Sequence, residues 1–173
     1  MRKLEQEYID KFQNDKYFTT VVEEFNKERT VENYINVCKV LQYRDFYLAT
    51  VVDVKDHHYR AEFKHTGTLP FEVLQDKTKV TIDPIKAEIK LGIYKEIELC
   101  IFTDPSKIDF NKMKANGMVI SNLESVWEEY FSDEELGGIV INLGLEEVMV
   151  PYDYIRFTLA GEFDKIKDRL TKK

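Results

Sequence analysis

The chain has 173 residues, 43% apolar and 13% aromatic, which is enough bulky surface for one core that needs no metal or disulfide staple. Lys and Arg number 25 against 32 Asp and Glu, a net charge of −7; that balance argues against binding nucleic acid or an anionic membrane surface, since both are held through basic side chains. Seven Gly and four Pro are too few for linker or collagen-like character, and no apolar run approaches the roughly 20 residues that span a bilayer.

Helices come first. Leu4, Tyr8, Ile9 and Phe12 share one helical stripe, and with no apolar stretch of signal-peptide length before them the expected location is the cytoplasm. Asn14-Asp15 is a break, after which a second helix is expected over 19–27 with Val21, Val22 and Phe25 on its apolar side. Thr30 reads as the N-cap of a third helix carrying Val31, Tyr34, Ile35, Cys38 and Leu41. Cys38 and Cys100 both lie in apolar patterns and are read as small buried hydrophobes.

From Phe46 the period changes, and Phe46-Tyr47-Leu48-Ala49-Thr50-Val51-Val52 is expected to form a buried strand. Residues 53–68 are polar, hold all three histidines and read as a solvated loop. Lys79-Val80-Thr81-Ile82 is a short strand stopped by Asp83-Pro84, whereas 85–91 shows no clear period. Over 96–102 the alternation is clean, with Ile97, Leu99 and Ile101 on one face, until Thr103-Asp104-Pro105-Ser106 ends the strand and suits a helix start. Asn116-Gly117 marks a turn and Met118-Val119-Ile120 a strand. Ser121-Asn122-Leu123-Glu124 fits a capping box ahead of a helical stripe of Leu123, Val126, Trp127, Tyr130 and Phe131, which Gly137-Gly138 is expected to end. Ile139-Val140-Ile141-Asn142 and Glu147-Val148-Met149-Val150 read as a hairpin around 143–146, and a charged helix over 162–170 closes the chain.

The expected architecture is therefore one α+β domain over 1–173. N-terminal helices pack on a mixed or antiparallel sheet of about five strands, with the Trp127 helix on one face and a C-terminal β-hairpin and helix.

Three stretches carry a resemblance: Leu99-Cys100-Ile101-Phe102-Thr103-Asp104, the amphipathic helix from Leu123 to Phe131, and Gly138-Ile139-Val140-Ile141-Asn142-Leu143-Gly144. With the upstream Thr30-Val31-Glu32-Asn33-Tyr34 and the strand from Phe46, they resemble the SseB-like family (enhanced serine sensitivity protein B, N-terminal domain) over about 30–155, leaving 1–29 as a helical extension. Asp104 and Leu143 depart from the small hydroxyl residue and the proline usual at those places in that family. The resemblance implies a fold and a non-enzymatic role.

The residues themselves offer little chemistry. Asp53, Asp56, His57, His58, Glu62 and His65 are metal-ligand types, but adjacent His57 and His58 point apart in an extended chain, and no His-Glu-x-x-His spacing is present. None of Ser106, Ser121, Ser125 or Ser132 sits in a nucleophile elbow. Phe102, Thr103, Asp104 and Asn142 mark strand ends, where open α/β sheets bind ligands, and Asp133, Glu134 and Glu135 form an acidic edge suited to a basic partner. The expectation is a non-enzymatic cytoplasmic protein-interaction module using these residues, with no catalytic, cofactor-binding or metal-binding residues. The alternatives are a small acidic immunity or inhibitor protein against a basic toxin or enzyme, and a metal-dependent hydrolase using the His57–His65 segment.

Overall fold

Phe18, Val21, Val22 and Phe25 recur at helical spacing, and in the computed structural model, which describes residues 15–132 and 136–172, they form the buried stripe of helix α1, Asp15–Lys27. The helix starts earlier than the expected 19, which brings Phe18 into the core. The stripe expected over Leu4 to Phe12 lies outside the described residues. Thr30 caps α2, Val31–Tyr43, its hydroxyl accepting from Asn33 N at 3.1 Å.

Strand β1, Phe46–Val54, runs antiparallel between β2, Val80–Pro84, and β5, Gly117–Ser121. The second sheet has the order β3-β4-β6-β7, built from Lys86–Leu91, Tyr94–Ile101, Leu136–Ile141 and Val148–Pro151. Within it β4 and β6 are parallel and the other pairs antiparallel, so the hairpin expected around 143–146 is β6–β7.

The α+β class holds, with seven strands among the described residues shared between two sheets where about five were expected in one. The corner is at Pro84-Ile85. Proline has no N–H with which to continue the β2 ladder, and Ile85 instead bridges the sheets: its N–H donates to the Ala49 carbonyl at 2.9 Å and its carbonyl accepts from Cys100 N at 3.2 Å. A Tyr47–Phe102 bridge joins β1 to the end of β4. The segment 85–91, ambiguous in sequence, is the edge strand β3, and its register with β4 decides its conformation.

The main core lies between the strands and α1, α2, and three further helices: α6, Leu123–Tyr130; α7, Tyr152–Leu159; and α8, Phe163–Thr171. On the opposite face, Ala49, Cys100, Phe102, Ile108 and Val140 form a smaller cluster beneath a 3-10 helix, Pro105–Lys107, and α5, Phe110–Met113. A third cluster of Val54, Val73 and Val80 sits under α3, His57–Thr66, and α4, Phe71–Leu74.

Three local expectations are corrected. The histidine segment is helix α3, not a loop. Asp56 caps it by accepting from His58 N at 2.9 Å, Gly67 ends it at φ 72°, and Tyr59 and Phe63, four apart, pack on the third cluster. The cap of α6 is Asn122, one residue after Ser121, with its side chain accepting from Ser125 N at 2.9 Å. Gly137 and Gly138 lie inside β6 and do not end a helix. Trp127 is half-buried, stacked on Phe131 with ring centroids 5.3 Å apart, while Leu123 and Val126 supply the fully buried face of α6.

Candidate functional site

Parallel pairing places the C-terminal ends of β4 and β6 side by side, and the residues that follow each strand meet there. Asn142 extends the ladder by one bond, its N–H donating to Ile101 O at 2.9 Å, and then turns out of the strand at φ 57°. That left-handed conformation is one asparagine tolerates better than most residues. The Asn142 amide closes on Thr103: Oδ1 accepts from Thr103 N at 3.1 Å and Nδ2 donates to Thr103 Oγ1 at 3.3 Å. Thr103 Oγ1 lies 3.0 Å from Thr19 Oγ1, which ties α1 to the end of the sheet. Both Thr103 and Asn142 are buried.

Near the end of α1, Asn26 Nδ2 donates to Glu146 O at 3.0 Å, and just past the helix Arg29 donates to Glu147 O at 3.3 Å, fixing this end to the β6–β7 loop. Between these two attachments opens a cleft of about 490 Å³ lined by Thr19, Glu23, Lys27, Lys107, Asn142 and Leu145, among others. A second cleft of about 490 Å³ lies beyond Lys107 toward Lys86, Lys112 and Leu143, and a third of about 330 Å³ toward Lys16 and Asp104. Lys107 borders all three.

The expected residues divide. Thr103 and Asn142 come together: Asn142 is part of the floor of the first cleft, and Thr103 lies buried beneath it. Phe102 is fully buried in the second core cluster and positions that floor from below. Asp104 caps the 3-10 helix by accepting from Ser106 N at 2.8 Å, and the Ser106 hydrogen bonds, with Lys107 and Arg44 nearby, hold its carboxyl below the ordinary range. Asp133, Glu134 and Glu135 lie outside the described residues.

His57, His58 and His65 are all exposed on α3, where His58 lies 3.9 Å from a Glu62 carboxyl oxygen and edge-on to the Tyr59 ring. Among the described residues no three or more His, Cys, Asp or Glu side chains are grouped to hold a metal ion.

Sequence reading missed Lys107, whose place at the junction of three clefts depends on the crossover from β4 to β6. It also missed Glu98. This residue is 1% exposed on the face of β4 opposite Leu99, beside Gly138, and one of its carboxyl oxygens has no hydrogen-bond partner. Burial, and then the neighbouring Glu96, push its pKa up to about 8. Among known proteins, no family model, no curated protein and no solved structure matches the chain.

Proposed function

We propose that the chain is a non-enzymatic, cytoplasmic protein-interaction module of the SseB-like kind, and that it docks a segment of another protein in the cleft over β4 and β6. One observation carries this reading: the polar floor of the cleft is consumed in its own hydrogen bonds, while its rim presents long charged side chains from separate elements. Across the three connected clefts the rim carries five lysines (16, 27, 86, 107 and 112) and five carboxylates (Glu23, Asp104, Asp109, Glu146 and Glu147). Such a balanced rim suits a partner segment of mixed charge, which it would orient by complementary pairs at its edge. The resemblance over 30–155 points the same way.

Cross-linking mass spectrometry with the intact chain in native lysate tests the proposal. Links from Lys27, Lys107 and Lys112 should converge on one partner, and Lys107→Glu should cut recovery of that partner about tenfold while leaving the circular dichroism unchanged. Undiminished recovery with the variant, or links that avoid these lysines, would remove the cleft from the proposal.

The alternative, an acidic inhibitor of a basic protein, draws support from the net charge of −7: with the rim balanced, the surplus acid lies elsewhere on the chain. That reading expects capture that weakens steeply with salt and ignores Lys107→Glu.

A further inference from the structure

A separate cavity of about 350 Å³ lies on the three-stranded sheet, between β1, β2 and β5 and the α3–α4 cover. Its walls are apolar, with Val52, Ile82 and Val119 from the strands facing Phe63, Leu69 and Leu74 from the cover, and no lining side chain is ionisable. At its edge, the Asn116 amide is engaged by Val52, accepting from its N–H at 2.6 Å and donating to its carbonyl at 2.9 Å. The Thr68 hydroxyl is engaged with that of Thr66 at 3.0 Å.

Thr50 is different. It is 1% exposed, it lines the cavity, and its Oγ1 is buried without a hydrogen-bond partner. A buried hydroxyl left unmatched is costly, so this atom marks a place where an incoming polar group is favoured. Only glycine fits beside it: a Cβ at Gly117 would fall 2.8 Å from Thr50 Oγ1 and 2.6 Å from Val52 Cγ2.

We infer that this cavity is a binding site for a small neutral, largely apolar molecule, with one hydroxyl or similar group bonded to Thr50 Oγ1. The volume sits at the lower end of ligand pockets, and the walls suit an apolar molecule. Neutrality follows because a charge buried here would lose its water and find no counter-charge. The inference goes beyond the interaction-module reading and does not depend on it, since the two sites share no lining residue.

The test uses the whole chain labelled with nitrogen-15 and three probes: 4-methylphenol, toluene, which lacks the hydroxyl, and benzoate, which adds a charge. Titration of 4-methylphenol should shift the amides of Val52, Thr68 and Gly117 saturably at millimolar concentrations, and binding should be about tenfold tighter than for toluene. Thr50→Val should erase that difference and leave toluene binding unchanged. Absence of saturable shifts at these amides would overturn the site, and equal binding of 4-methylphenol and toluene by the unaltered chain would overturn the role of Thr50, whether or not the variant folds. Benzoate binding as tightly as 4-methylphenol would overturn neutrality.

Discussion

Glu98 shows how one side chain can make the stability of the fold depend on pH. Its carboxyl is packed beside Gly138 with one oxygen unpartnered, and burial with Glu96 alongside raises its pKa from 4.5 to about 8. The folded chain therefore holds a proton that the unfolded chain releases, and the slope of stability against pH is negative between those two values. The stabilising contribution is complete below about pH 4.5 and is lost as pH rises toward 8. Glu98→Gln keeps the shape and removes the titration. It should resemble the unaltered chain near pH 5 and be more stable by about 1–3 kcal/mol near pH 8.5, where the native residue must bury a charge. Urea denaturation at the two pH values checks this, and an identical difference at both would mean that the carboxyl keeps its ordinary pKa. Cys100, on the same face of β4, is driven up to about 12 by burial, with Glu147 and Glu98 adding to the rise, so its thiol stays protonated and unreactive near neutrality.

Elements whose signals are local were legible in the sequence, and elements whose signals are shared between strands were not. Thr30 and the stripe behind it specify α2, and the alternation of Ile97, Leu99 and Ile101 specifies β4, because each pattern is complete within a dozen residues. The same alternation assigns Glu98 to water. Its burial follows from the neighbouring strands β3 and β6, which no local pattern reports. Helix α3 had caps at Asp56 and Gly67, but only Tyr59 and Phe63 for an apolar stripe, too thin to outweigh its polarity.

The glycine pair was misread because glycines mark close backbone approach as readily as turns. A Cβ on Gly138 would lie 2.3 Å from the backbone oxygen of Val150, whereas one on Gly137 meets only the Glu96 side chain, which can swing away. Gly138→Ala should therefore cost about 3 kcal/mol or more, and Gly137→Ala about 1 kcal/mol or less, as measured by chemical denaturation. Similar costs for both would mean that β6 shifts bodily to admit either methyl.

At the scale of the molecule, the candidate site is a product of topology. Thr19 and Thr103 are 84 residues apart and Thr103 and Asn142 are 39 apart, so strand ends could be flagged in sequence while their meeting could not. The same topology distributes stability unevenly. The main core gathers two dozen buried side chains from both sheets and five helices, whereas α3 and α4 rest on Val54, Val73 and Val80 with a few half-buried neighbours. Less apolar area is released to water when that cover opens, so it should open with a smaller free energy than the whole fold. Native-state hydrogen exchange should show this directly. The amides of Arg60 to Gly67, hydrogen-bonded within α3, should exchange at least about tenfold faster than those of Leu99 to Ile101 and Ile139 to Ile141 in the central parallel pair. Equal protection in both regions would mean that cover and core unfold as one unit. In that case a ligand would have to enter the 350 Å³ cavity without opening of the cover, past lining residues such as Leu74, which is 39% exposed.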